Sequence, residues 1–271
     1  MTWQELLMAS VSTPEEADRA QAEGWRTFRV HAEATPGEVV CPASEEAGRR
    51  TQCDRCRLCS GALPAPALRA MVARARMARI MPAWRADRRR MLRALGVPRT
   101  SNGVELWRGP SAFDGSPVVV VATGIRRPTL NSKTGDMVQT WILPQDTKPN
   151  EATRTGADVA VCGDCIHRPS TARETGNAPC YVRTYEAPRS VWQAWREGRY
   201  TAVTPNQGRD LFAGSRFRQG SWGDPVAAPL ALWSALTARA ASRTGYTHAW
   251  QRIAPAEPSQ DRRRSIVIAP H

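Results

Sequence analysis

The chain opens on an apolar run, "ELLMASV" (5–11), continues through the polar "STPEEADRAQAEG" (12–24), and then alternates polar and apolar residues in "WRTFRV" (25–30). Strict alternation marks a half-buried strand, and a short unbroken apolar run suits a strand covered on both faces. Between the two, Ser12 or Thr13 is placed to cap a helix and Pro14 fits its first turn. The acids at 15 and 16 favour the positive end of the helix dipole, and Gly24 suits the exit. A second short strand, "GEVV" (37–40), runs straight into Cys41. Strand, helix and strand in that order make the parallel βαβ unit.

Past residue 104 the texture is again that of strands. "SPVVVVATGI" (116–125) and "MVQTWILP" (137–144) read as buried strands, with the turn-rich "RRPTLNSKTGD" between them. "SVWQAWREGRY" predicts a short helix with two tryptophans on its inner side. "SRFRQGSWGDP" (215–225) predicts a strand ending in a tight turn, "LALWSALTARAAS" an amphipathic helix, and "RTGYTHAW" (243–250) a further strand. In the middle, Leu68, Met71, Val72 and Ala75 share one helical face and Pro82 divides the run, so 62–103 reads as a helical connector. The expected parts are 1–61, a βαβ unit with a first cysteine group; 62–103, the connector; 104–252, the main α/β part with a second group; and 253–271, a flexible polar tail. Strand–helix alternation at both ends argues for an α/β layer or barrel, against an all-β or all-helical chain.

At 271 residues there is room for one large α/β domain or two small ones. The formal charge of +13 is concentrated: between residues 67 and 99 stand ten arginines against one acid, Asp87. Such a field suits phosphate-rich partners, DNA or RNA, with Arg74, Arg85, Arg88, Arg89, Arg90 and Arg93 as the contacts. A solvated helical surface is the plainer alternative. No apolar run is long enough to span a membrane, and "MTWQELLMASVS" lacks an export signal, so a cytoplasmic protein with no membrane partner is expected. Cytosolic thiols stay reduced, which favours metal over disulfides.

Seven cysteines fall into two groups. Cys41 precedes Cys53-x2-Cys56-x2-Cys59, and Cys162-x2-Cys165 precedes Cys180, with His167 close by. A C-x2-C turn points two thiolates at one ion. The evenly spaced triple resembles the ligand run of ferredoxin-type clusters, so iron–sulfur is placed ahead of zinc. The second group reads either as a three-cysteine, one-histidine zinc site through His167 or as a three-cysteine cluster with an open iron. Tyr181 reads as packing over the metal loop, Lys133 as part of a plain turn, and His248 as an inward residue between two aromatic rings, either a base or ligand or a hydrogen-bonded core residue. Asp224 reads equally as a helix cap.

Downstream of Cys180, "GSWGDP" resembles the glycine-glycine-acid-proline motif that ends the second strand in radical S-adenosylmethionine enzymes, whose reactive cluster sits on a three-cysteine loop after the first strand. That resemblance implies S-adenosylmethionine as cofactor, held at Gly223 and Asp224. Those enzymes mostly use C-x3-C-x2-C, whereas this chain has C-x2-C and a fourteen-residue gap. The string "NSKTG…CGDC…CY…GDP…GYTH", with "MASV…GWRTFRV…CPAS", is also similar to an uncharacterised family carried by phages and mobile elements. In that family the second part follows the first. The resemblance implies a circular permutant: a partial TIM-barrel-like parallel barrel built from both ends of the chain, with the arginine-rich helices inserted. "LLMASVS", "WRTFRV" and "EVVCPAS" would be strands four to six, so the strand at 6–11 is expected beside the one at 245–250. Two functions follow as expectations. One is an iron–sulfur, radical-S-adenosylmethionine-like enzyme with Asp224 and His248 as candidate catalytic residues. The other is a non-catalytic, zinc-stabilised nucleic-acid-binding protein of phage or plasmid replication, recombination or regulation, with another phage protein as a further candidate partner.

Overall fold

Val118, Val119, Val120 and Val121 are fully buried, and burial of such a side chain is worth roughly 1.5–3 kcal/mol. That run, in strand β5 (Pro117–Thr123), anchors an antiparallel meander with β4 (Gly103–Pro110) and the wholly buried β6 (Val138–Pro144). The computed structural model describes residues 1–30, 34–35, 38–42, 44, 47–48, 51, 56, 59, 87–127, 134, 136–176, 179–255 and 265–268. The expected helical face at 68–75, Pro82, Cys53, Arg74, Arg85 and Lys133 lie outside the described residues.

The remaining strands are β1 (Met8–Val11), β2 (Thr27–Val30), β3 (Glu38–Val40), β7 (Thr201–Ala202), β8 (Arg216–Trp222), β9 (Ser242–Thr247) and β10 (Ser265–Ile268). The ten described strands form one sheet in the order β3-β10-β2-β1-β9-β8-β6-β5-β4-β7. From β6 through β3 every neighbouring pair is parallel. The fold is therefore mixed α/β with a large, mostly parallel sheet, and among the described residues no hydrogen bonds close it into a ring. The described helices are α1 (Trp3–Leu6), α2 (Pro14–Ala22), α3 (87–94), α4 (Pro149–Thr155), α5 (Val159–Cys162), α6 (Pro169–Thr175), α7 (Ala187–Arg196), α8 (Pro205–Leu211) and α9 (Leu230–Thr237), with short 3-10 turns at Pro225–Ala227, capped by Asp224, and Trp250–Arg252. None of the described helices is long and apolar enough to cross a membrane.

The two ends of the chain meet as expected. Met8 of β1 pairs with Tyr246 of β9, and Ala9 with Thr247. In α2 the Thr13 hydroxyl accepts the Glu16 amide at 3.2 Å and Ala17 and Ala20 are buried. At the N-terminus the structure departs from the apolar run. The Thr2 hydroxyl accepts the Glu5 amide while the Glu5 carboxylate accepts the Thr2 N–H at 2.7 Å, and this capping box winds 3–6 into a helical turn. The strand thus begins at Met8 rather than at residue 5. Within the stretch read as a tail, Ser265–Ile268 form β10, inserted between β2 and β3.

In α3, Arg88 is buried. It donates to the Ile125 carbonyl at 3.3 Å and to the Ser215 hydroxyl, so this arginine is a tie inside the protein rather than a phosphate contact. Arg89, Arg90 and Arg93 are exposed. In α7, Trp192 and Trp195 turn inward as expected, donating to the Pro144 carbonyl at 2.8 Å and to Glu105 at 2.6 Å.

Candidate metal centre

The second cysteine group grows out of a short helix. Asp158 stands at the start of α5 and Cys162 at its end, and Gly163 turns the chain at φ 57° against the Phe113 ring. The Cys165 amide donates to the Cys162 carbonyl at 3.2 Å, closing the C-x2-C turn. Arg168 then clasps the loop, donating to the carbonyls of Gly156 at 2.7 Å and Gly163 at 3.2 Å and to the buried Asp158 carboxylate at 2.8 Å. Cys180 is drawn back to the same place by its amide, which donates to the His167 carbonyl at 2.7 Å.

Strand β8 is tied to this loop by the Asp224 amide, which donates to the Val161 carbonyl at 2.6 Å. The Asp224 carboxylate accepts the Val226 amide at 3.0 Å, the Thr247 hydroxyl at 3.0 Å and the His248 amide at 2.8 Å. It is an N-cap that also pins the end of β9. A carboxylate offers about four acceptor sites. Three of them are taken by the fold here, and the side chain is buried, so Asp224 does not fit the role of holding a cofactor amine. Gly223 is likewise explained by the backbone. Its φ is 85°, and a Cβ there would stand 2.6 Å from the Ile142 carbonyl oxygen. His248 lies just past β9 rather than within it, and its ring meets the His167 ring edge-on at 5.6 Å.

Burial dominates the electrostatics of this loop, and the Arg168 guanidinium eases ionisation at Cys165. Burial pushes the Cys162 thiol well above its ordinary range, and Asp158, Cys165, Cys180 and Asp224 all oppose its ionisation further. Burial lifts Cys165 to about 12 and also raises Cys180. Asp224 is raised to about 6 by burial, and His248 is lowered to about 4 by burial and the neighbouring His167. Yet Cys162, Cys165, His167 and His248 each keep some accessible surface, and Cys180 is exposed.

The first group is only partly within view. Cys41, at the exit of β3, and Cys59 pack with Met8, Phe28 and Tyr246, and the Tyr246 hydroxyl lies 3.4 Å from the Cys59 sulfur. Arg26 donates to the Cys59 carbonyl. Cys56 is half-buried. Cys41, Cys162, Cys165 and Cys180 are thiols outside any disulfide. As they stand, no three His, Cys, Asp or Glu side chains among the described residues form a group closed around one ion. Tyr181 does not pack over the loop: it is exposed, with its hydroxyl 3.1 Å from Arg218.

Asp158 and Arg168 were not singled out in the sequence, although an aspartate four residues before a cysteine and an arginine three after the next were there to be read as a cap and its clasp. Comparison with protein-family models, curated proteins and solved structures finds no match to this chain. The fold and site define a mixed α/β protein with a large, mostly parallel sheet and three cysteine thiols on a loop tied to the end of β8.

Proposed function

We propose that this protein is a cysteine-ligated metalloprotein, with an iron–sulfur cluster held by Cys162, Cys165 and Cys180 and a second metal group at Cys41, Cys53, Cys56 and Cys59. The observation that carries the reading is the approach of three thiols, from two segments joined by the Cys180 amide hydrogen bond to His167, to one another and to the Asp158 and Asp224 carboxylates. The guanidinium of Arg168 there is already paired with Asp158. Buried thiols resist ionisation on their own, whereas a bound cation would supply positive charge at the sulfurs and make them thiolates. The donors fit the group by kind. The choice of a cluster over a single zinc ion rests on the evenly spaced cysteine triple of the first group, which resembles a ferredoxin-type ligand run.

When bound, such a cluster supplies one-electron chemistry or a Lewis-acidic iron. The chain's own residues hold the loop (Arg168, Asp158), fix the end of β9 (Asp224) and set two imidazoles edge-on to each other, of which His248 is neutral at pH 7. The parallel run β6-β8-β9-β1-β2 follows the strand order of a radical-S-adenosylmethionine-like partial barrel entered at a different point, which supports the permuted-barrel reading of the fold. Asp224 gives that reading no support as a cofactor residue.

Protein prepared without oxygen is expected to be brown and to contain iron and acid-labile sulfide. Cys162→Ser, Cys165→Ser and Cys180→Ser should each lower the iron content without unfolding the chain. Colourless protein with stoichiometric zinc would replace the cluster with structural zinc. Metal-free protein that is fully folded would end the proposal.

A further inference from the structure

A second feature lies away from the cysteines, where α3 ends and β5 runs out. The last turn of α3 carries Arg93, the loop after it carries Arg99, and the loop after β5 carries Arg126 and Arg127. Arg126 is held in place by carbonyls, donating to Ser101 at 3.1 Å and Val97 at 2.9 Å on either side of Arg99. The Asn102 side chain locks the two loops together. Its oxygen accepts the Arg126 and Arg127 amides, both at 2.9 Å, and its nitrogen donates to the Arg127 carbonyl at 3.2 Å.

Carbonyl tethers fix a guanidinium without neutralising it. Among the described residues no carboxylate pairs with Arg93, Arg99, Arg126 or Arg127. The nearby acids are engaged elsewhere: Asp87 with Arg90, Glu105 with Arg108 and Trp195, and Asp136 with Arg216. Residues 88–104 contain Glu in no position and Asp in none, and the same is true of 115–135. The crowding is felt: burial first, then Arg99 and Arg93, lower the pKa of Arg126. Like charges assembled on a rigid frame, with no acid to relieve them, are the electrostatic complement of a polyanion.

We propose that Arg93, Arg99, Arg126 and Arg127 form a binding site for the phosphate backbone of a nucleic-acid duplex. Arg93 and Arg99 bear on Arg126, and Arg127 follows it in the same loop, so four arginines can meet several of the closely spaced duplex phosphates; the chain's overall charge of +13 adds long-range attraction. A duplex fits better than a single strand, which is gripped by stacking its bases on exposed aromatic rings. Among the described residues the exposed large aromatics are Tyr181 and Tyr185, neither of them in these loops. Contacts to phosphates position a duplex without reading its sequence, so binding should be largely independent of sequence. It stands independently of any metal at the cysteines.

The test is fluorescence anisotropy of a labelled DNA duplex, and of an RNA duplex of the same length, titrated with the full chain across a range of salt concentrations. The variant Arg93→Ala/Arg99→Ala/Arg127→Ala removes the three arginines that make no tether through their side chains. Its log–log salt slope should fall by about 0.9 per lost contact for DNA. The corresponding triple lysine variant should keep the slope, and both variants should melt with the wild type. An unchanged slope in the alanine variant overturns the proposal, as does failure of the wild type to bind either duplex. Competition by polyglutamate at the same charge concentration as the duplex would assign the site to acidic protein instead, and tighter binding of a single strand would remove the duplex. Iron content, measured on the same samples, reports on the cysteine site separately.

Discussion

Glu38 and Arg29 offer a direct probe of how the sheet holds the first cysteine group. Arg29 on β2 and Glu38 on β3 reach across the intervening β10 in a bidentate pair, Nε to Oε1 at 2.9 Å and a second nitrogen to Oε2 at 2.6 Å. The Thr35 amide adds a third bond to Glu38 at 2.7 Å. Both side chains are almost completely buried. Chiefly through its bond to Arg29, the Glu38 carboxyl is held down to about 2, against an ordinary 4.5. A tenfold change in proton affinity is worth about 1.4 kcal/mol, so the ionised pair contributes on the order of 3 kcal/mol. The sign is fixed by linkage. A depressed carboxyl stabilises the fold above its unfolded pKa, so the contribution is complete above about pH 5 and is lost as pH falls from there towards 2. Glu38→Gln should therefore be less stable than wild type at pH 7, by several degrees in melting temperature at roughly 2–4 °C per kcal/mol. The gap between the two proteins should close as the pH is lowered. The assay is thermal or denaturant unfolding of both across pH 3–7. A gap of constant size over that range would show that the charge on Glu38 is not what ties β3 to β2, and would refute the reasoning.

Other substitutions separate structural from functional roles. Arg88→Met should lose about 2–3 kcal/mol of stability, because the Ser215 and Ile125 acceptors are left without their charged donor; its nucleic-acid salt slope, measured as above, should match wild type. Gly223→Ala should cost at least about 2 kcal/mol, from a positive φ combined with a 2.6 Å approach to the Ile142 carbonyl, and denaturant midpoints will show it. Deleting 265–271 removes the strand that joins β2 to β3, so amide hydrogen exchange should accelerate at 38–41 while β5 and β6 keep their protection.

What the sequence revealed depended on whether local pattern or distant contact decides each residue. The strand ending in "WGDP" was legible because alternation, a glycine needed at positive φ and an Asp-Pro turn all point the same way. The N-terminal run misled because a two-residue capping box overrode its apolar texture. Counting charges puts Arg88 on the surface, although helical phase is a better guide: Met91, Leu92 and Leu95 follow it at three, four and seven positions, and Leu92 is fully buried. An arginine on the inward stripe of a helix belongs with that stripe. Nothing local announced that Arg126 and Arg127 would join Arg93 and Arg99. That meeting is made by Asn102 and two carbonyls, which no periodicity encodes.

The strand order also explains why residues of two cysteine groups far apart in sequence both meet the end of β9. β9 pairs with β8 on one side and with β1 on the other, so its C-terminal end faces both halves of the chain. Tyr246 reaches the Cys59 sulfur there, and two residues later His248 meets His167 of the second group. Asp224 fixes this end by accepting from both Thr247 and His248. Its buried carboxylate is thus committed to holding the seam to which both groups are fitted. That makes it a positioning residue in the physical sense, since loss of its charge would loosen the end of β9 and disturb the surroundings of both sets of thiols at once.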